Sequence, residues 1–488
     1  MSPILILLTI IIYFAILFTV SYFTGRKADN AGFFSGNRKS SWYVVAFATI
    51  GAAISGVTFV SVPGMVAAKG FSYLQMVLGF SVGQLLVAFV LVPLFYRMNL
   101  VSIYEYLENR FGLATYQTGA WLFFISKMTG ASIRLFIVCV VLQLLVFEPL
   151  GLSFILNVVF TVGIVWIYTY RGGVKTLIWT DSFKTFCLIV SVVLCIYYIA
   201  ADLDSKGNLF SVISGSDMSR IFFFDNFKDP RYFFKQFLAG IFITIAINGL
   251  DQDMMQKSLS CKNFRDSQKN MITGGILQIF INLLFLMLGV LLYSYASANA
   301  IRLPAKGDEV FPFLATQGYF PLIVSFLFII GLISAAYAAA GSALTALTTS
   351  FTVDILKSVK GKTEKEIAAT RRKVHAGMAI VMGLVIYVIH MFNNTSVIDT
   401  VYKLASYTYG PLLGMFVFGI LTKRKIRDRR VPLVVIASPL LCLVLDINSK
   451  AWFKGYEFSH ERLIFNALFT FIGLALLIRK ESGEMKEE

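Results

Sequence analysis

Long apolar stretches recur along this chain, separated by short polar segments rich in Lys and Arg. Most are long enough to cross a bilayer as a helix, which takes about 20 residues. The pattern predicts thirteen spans, at about 1–23, 42–68, 71–96, 117–147, 152–169, 177–201, 233–254, 271–297, 319–356, 374–392, 399–421, 431–448 and 462–478. The first lacks a basic n-region and a small-residue cleavage site, so it reads as a span and not a signal peptide. Alternation puts GRKADNAGFFSGNRKSS, TYRGGVKTLIWTD, DQDMMQKSLSCKNFRDSQK, KSVKGKTEKEIAATRRK and KRKIRDRR on one side, and every one of them is basic. The positive-inside rule makes that side cytoplasmic, with the N-terminus outside and the short charged tail inside. YEYLENRFG, in the inner loop 97–116, is amphipathic and predicts a short interfacial helix.

Two spans are poor continuous helices. In ATIGAAISGVTFVSVPG (48–64), Gly51, Ser55, Gly56, Thr58, Ser61, Pro63 and Gly64 crowd together, and the seventh span is interrupted at Asn248-Gly249. Glycine and proline at membrane depth are tolerated where neighbours or a water-lined cavity satisfy the freed backbone. Such a break exposes carbonyls and amides to ions and small polar solutes. Close helix packing alone explains the glycines, but not Pro63 together with three hydroxyls. Spans two to six and seven to eleven form two blocks of five, each opening with an interrupted helix. An odd number of spans per block gives them opposite orientation, the signature of an inverted-repeat transporter. The division is residues 1–41 for an additional span and inner loop, 42–201 for the first repeat, 202–232 for an outer loop, 233–421 for the second repeat, and 422–488 for the last spans and tail.

Composition settles the class. The 488 residues are 57% hydrophobic and only 14% charged, against roughly 25% charged in soluble domains. The net charge of +16 lies in the inner loops, so it signals topology and not nucleic acid. The five cysteines (139, 187, 195, 261 and 442) show no pairing or metal spacing and read as small core residues. With three histidines and no nucleophile or phosphate-loop motif, the chain does not read as an enzyme.

Charges inside spans are expensive and functional by default. Lys127 and Arg134 are seven apart on one helix face; Lys127 is the shallower and can snorkel, whereas Arg134 is nearer mid-span and suits a carboxylate. A structural ion pair is the competing reading for Arg134. Asp181 and Lys184 are adjacent on their helix, so Asp181 is either a cation ligand or the partner of Lys184. Ser334, Ser342, Thr345, Thr348 and Thr349 make a hydroxyl stripe that lines a path or bonds to helix carbonyls. Gln75 either faces a solute or packs with an internal hydrogen bond.

The motifs RGGVKTLIWTD (171–181), GLDQDMMQ (249–256) and SALTALTTSFTVDI (342–355) resemble those of the sodium:solute symporter family, and the resemblance covers essentially the whole chain. It implies an all-α integral membrane protein of LeuT-type 5+5 inverted-repeat fold with about thirteen transmembrane helices, importing a small solute with Na+. Backbone carbonyls at Gly51, Ile54 and Ala335 match a family sodium site. Its serine pair is here Ala338 and Ala339, so two hydroxyl ligands are missing. Asp181 and Ser342 match a second cation site, in which the neighbouring Gly341 lacks a hydroxyl. Ser55, Thr58 and Arg134 match solute contacts of the sialic acid transporters, and Gln75 is a further candidate.

The position of Lys184 is commonly Gln in the family. Two readings follow. Sodium binds weakly at carbonyls while Lys184 snorkels, or the Lys184 ammonium replaces the cation and transport is Na+-independent or proton-coupled. A membrane sensor of the same fold would need a signalling domain, for which the tail of about ten residues is too short. The expected partners are a small polar or carboxylate-bearing solute and membrane lipids, with no nucleic acid and no required oligomer; the expected location is the plasma (inner) membrane.

Overall fold

A computed structural model describes residues 3–25, 29–170, 172–203, 209–357, 361–392, 397–456, 458 and 460–479. Every expected span is a helix or a bent pair of helices. In chain order they are α1 (Pro3–Gly25), α2 (Asn30–Ser35, a short interfacial turn), the bent pair α3 (Trp42–Ala53) and α4 (Gly56–Gly64), and α5 (Tyr73–Leu86). Then come α6 (Leu113–Leu142), α7 (Phe154–Thr169), α8 (Gly173–Leu203), the second bent pair α9 (Phe233–Thr244) and α10 (Gln252–Ser258), and α11 (Phe264–Ala298). The last are α12 (Leu322–Ser350), α13 (Glu364–Phe392), α14 (Val397–Leu421), α15 (Val431–Trp452) and α16 (Arg462–Leu476). Among the described residues, nine helices are long and apolar enough to cross a membrane singly, and the two bent pairs turn by 62° and 71°. The amphipathic segment after α5 is helical at Glu105–Arg110, as its pattern predicts.

Several boundaries differ from expectation, α11 by seven residues at its start, and two of the differences bear on the hydrogen bonding. The tenth span starts ten residues early, at Glu364, because Thr363 and Glu366 form a capping box. The Thr363 N–H and hydroxyl each lie 2.8 Å from the Glu366 carboxylate, and the Glu366 N–H lies 3.4 Å from the Thr363 hydroxyl. The seventh span does not end near 254 in a solvated loop. After Leu250 it re-forms as α10, and all seven of that helix's residues are buried.

α12 runs through the middle of the bundle, with every residue from Ile333 to Ser350 buried. Against it lie both bent pairs, α6 and α8. A helix buried on all sides takes small residues and hydroxyls, which let neighbours approach and find hydrogen-bond partners. The hydroxyl stripe does both: Ser334 pairs with the Tyr13 hydroxyl at 2.8 Å, whereas Thr348 bonds the Leu344 carbonyl at 2.7 Å and His375 at 2.8 Å.

Candidate functional site

The first break falls at Ile54–Ser55. Ile54 leaves the helix at φ −86°, ψ 99°, and Ser55 starts the next one in extended conformation. α3 is docked on α8 through Gly51. A Cβ there would stand 2.0 Å from the Thr185 hydroxyl oxygen, which itself lies 2.8 Å from the Phe47 carbonyl and 2.7 Å from the Asp181 carbonyl. Gly56 is less tightly held against α12 and α6, where its Cβ would meet Ala336 at 3.3 Å and Val138 at 3.5 Å. The first break is therefore neutral, small and tightly packed, one turn along α6 from Arg134. Ser55 is buried and Thr58 half-buried.

Asp181 is the hub of a different environment. Its Oδ1 lies 3.3 Å from the Lys184 ammonium, and its Oδ2 lies 2.8 Å from both the Lys257 ammonium and the Ser342 hydroxyl. Lys184 is fully buried and does not snorkel. Its nitrogen also donates to the Tyr337 carbonyl at 3.2 Å and sits 4.1 Å from the centre of the Tyr168 ring. The Tyr168 hydroxyl binds the same carbonyl at 2.5 Å. Tyr337 directly precedes Ala338, so an ammonium stands at the turn of α12 that carries the alanine pair. Ala335, Ala338 and Ala339 are buried and offer only backbone oxygens. A hard monovalent cation wants several oxygens free to face it. At the first of the two family sites two methyls stand where its serines would be, and at the second Asp181 is already engaged by two cations and a hydroxyl. At Asp181 the Lys184 and Lys257 ammonium groups therefore face the oxygens that a cation at the family's second site would use.

The second break carries charge as well. The Asp251 carboxylate accepts from the Asp253 N–H at 2.8 Å and so caps α10, while the Tyr104 hydroxyl satisfies the Leu250 carbonyl at 3.0 Å. Lys127 was expected to snorkel. It is instead buried between two carboxylates, 3.1 Å from Asp251 and 2.7 Å from Asp253, because the returning half-helix presents both acids to α6. The Tyr409 hydroxyl on α14 lies 2.5 Å from Asp251. Asp253 in turn is 4.0 Å from Lys257. A continuous buried chain results: Lys184, Asp181, Lys257, Asp253, Lys127, Asp251 and Tyr409. Arg134 stands beside its end without a carboxylate partner among the described residues. It lines a cavity of about 20 Å³ with Lys127, Asp251, Tyr409, Ile247 and Leu404.

Gln75 is elsewhere. Its amide donates to the Ser72 and Arg231 carbonyls at 3.2 and 2.8 Å and accepts from the Phe223 N–H at 3.2 Å, which fastens the segment before α9. Sequence reasoning missed Lys257, Asp251, Asp253 and Tyr409. A signal for Lys257 was present: Asp253 and Lys257 are spaced i, i+4, the spacing of helical neighbours, inside a motif already singled out. On the face opposite the basic loops, a cavity of about 720 Å³ is lined by Val60, Phe136 and residues of 304–317. It begins two residues from Thr58 and two from Arg134.

Two bent spans five helices apart, facing a buried charge set at membrane depth, define a solute carrier and not an enzyme. The model of the sodium:solute symporter family matches residues 33–428. The chain belongs to that family and is a multi-pass membrane protein that moves a small-molecule solute by secondary transport. It is 24% identical over 459 residues to the sodium/sialic acid symporter NanT of Aliivibrio fischeri (strain ATCC 700601 / ES114), covering 89% of this chain and 84% of that protein. It is 24% identical over 439 residues to the human sodium-coupled monocarboxylate transporter 2, covering 84% of this chain and 68% of that one. The substrate-bound, outward-open structure of a Na+-coupled sialic acid symporter superposes with a TM-score of 0.82 at 18% identity, over 96% of this chain and 97% of that one. The fold is thus the all-α, LeuT-type inverted repeat that the motifs imply.

Proposed function

We propose that this protein imports a small carboxylate-bearing solute by alternating access, and that an internal ammonium takes the place of sodium at Asp181. The solute reaches the breaks from the 720 Å³ cavity, taken as the outer side. Ser55 and Thr58 hydrogen-bond it and Arg134 holds its carboxylate. The repeats 42–201 and 233–421 then reorient around it and open to the basic, cytoplasmic side. Gln75, committed to backbone groups, takes no part.

One observation carries the reading: the make-up of the charge set, in which three ammonium groups are buried and Arg134 is half-buried. Four cations (Lys127, Arg134, Lys184 and Lys257) face three carboxylates (Asp181, Asp251 and Asp253). The carboxylate of the family's cation site is filled from within, and one positive charge is left over at Arg134. A charge drawn partly out of water without a partner is unfavourable, and Arg134 is half-buried, so the site favours a ligand with one negative charge and, at Asp181, needs no added cation. Two relatives are named for sialic acid and monocarboxylates, both carboxylates.

The test is uptake of labelled N-acetylneuraminate and L-lactate into proteoliposomes, in NaCl and in choline chloride. Equal initial rates in the two salts, abolished by Arg134→Gln, are expected. Saturable stimulation by Na+ would overturn the ammonium reading, and uptake that survives Arg134→Gln would overturn the anion reading.

A further inference from the structure

We propose that Asp251 is a tethered stand-in for the solute's carboxylate: in the empty carrier it occupies Lys127, which lines the same small cavity as Arg134, and the solute's carboxylate must displace it there in order to lie between Lys127 and Arg134. This rests on the reading of Arg134 as the anion contact and adds a residue and a coupling step to it.

Three features of the second break lead there. The cavity beside Arg134 is about 20 Å³, room for about one water and too small for a carboxylate-bearing solute. Something lining it must move, and Asp251 is the one carboxylate among its lining residues. Lys127 has two carboxylate partners, so losing Asp251 leaves it paired with Asp253 at 2.7 Å and never stranded. Asp251 in turn keeps two donors after release, the Tyr409 hydroxyl at 2.5 Å and the Asp253 N–H at 2.8 Å. The exchange of one carboxylate for another on Lys127 therefore leaves no buried group without a partner, which is the costly outcome for a buried charge.

The contact also has mechanical consequences. Asp251 begins α10, and its bond to Lys127 ties that half-helix to α6 at one end, while Lys257 ties it to Asp181 on α8 at the other. A carboxylate that takes Asp251's place on Lys127 removes one of two contacts there and leaves the tie to Asp253, also on α10, at 2.7 Å. Solute binding would then weaken, without cutting, the hold of α6 on the start of α10, and competition at one ammonium passes binding on to that half-helix. A structural ion pair predicts the opposite sign throughout, because removing its acid weakens the site around it.

Two measurements decide between them, with N-acetylneuraminate and L-lactate as probes. The first is the Kd of purified wild type, Asp251→Asn and Arg134→Gln by calorimetry. Asp251→Asn is isosteric and should bind the wild type's preferred anion roughly tenfold tighter or more, the scale of one charge-assisted hydrogen bond removed from competition; equal or weaker binding would overturn the proposal. The second needs no variant: hydrogen exchange of wild type with and without the anion should show faster exchange at residues 252–258. Unchanged or slower exchange there overturns it as well. If Arg134→Gln binds like wild type, or neither anion binds at all, the carboxylate reading fails and takes this inference with it; the former two results would sink the inference alone.

Discussion

The two broken spans solve one problem in different ways. Each opens its backbone inside a membrane, where an unsatisfied N–H or C=O costs several kcal/mol, roughly 2–7 by transfer estimates. The first does it by subtraction: glycines at 51 and 56 bring α8, α6 and α12 into near-contact with the chain, and no charge is present. The second does it by addition. Asp251 caps the new half-helix, Tyr104 satisfies the broken carbonyl, and ion pairs bind the half-helix to α6 and α8. A sterically closed break fixes geometry. An ionic one can exchange partners, and so it is where a charged solute gains a hold on the fold.

The comparison predicts where damage is greatest. Asp181→Ala removes the shared carboxylate of Lys184 and Lys257, both fully buried. Breaking a buried pair by deleting one partner costs about 3–5 kcal/mol, and the expected loss in thermal or chemical unfolding of the detergent-solubilised protein is of that order. Adding Lys184→Met should recover part of it. A single-variant loss under about 1 kcal/mol, the range of exposed pairs, would mean that the ionic side is less dry than its geometry implies.

Next in size is the steric side. Gly51→Ala drives a methyl to 2.0 Å from the Thr185 hydroxyl oxygen and 3.2 Å from the Asp181 carbonyl. Overpacking of this kind costs about 1–3 kcal/mol. The double variant Gly51→Ala/Thr185→Ala removes the clashing oxygen and should regain much of that in the same unfolding assay. If Gly51→Ala is neutral, or if Thr185→Ala fails to rescue it, contact with Thr185 is not what selects glycine there.

The same contrast explains what was legible in the sequence. Apolar runs and basic loops gave all thirteen helical segments, since a bilayer constrains length and loop charge more tightly than most environments constrain a soluble chain. The first break was legible because its devices, Gly51, Ser55 and Gly56, are local, whereas Pro63 lies inside α4. The ionic break was not. Lys127, Asp181, Asp251 and Tyr409 lie on four different elements, and no local pattern says which acid meets which base. Hydropathy read QDMMQKS as the start of a loop because it counts charges without knowing that they pair. The Asp181–Lys184 contact, three residues apart, was foreseen for the reason that the others were missed. Gln75 shows why the sequence left its two readings open: its partners, the carbonyls of Ser72 and Arg231 and the N–H of Phe223, include two more than 140 residues away.

The smallest expected effect sets the scale for the others. Asp229 and Arg231 form an ion pair at 2.8 Å, in the segment before α9 and partly open to solvent. The Arg231 guanidinium, donating to the carboxylate, holds Asp229 below the usual carboxylate range. A lowered folded value means that the pair's contribution is present above the unfolded carboxylate value, about pH 4, and is lost as pH falls through the folded one. Exposed pairs contribute about 0–1 kcal/mol, so Arg231→Ala should cost no more than that at pH 7. The cost should shrink as acid protonates Asp229, down to what the guanidinium keeps by lying 4.6 Å from the centre of the Phe223 ring. Gln75 binds the carbonyl of residue 231 and not its side chain, so its bridge persists in the variant. The residue pairing resembles Lys127 with Asp251; the surroundings differ. If Arg231→Ala proved as damaging as Asp181→Ala, the segment before α9 would have to be dry, and the distinction drawn between buried exchangeable pairs and solvated ones would fail at its reference point.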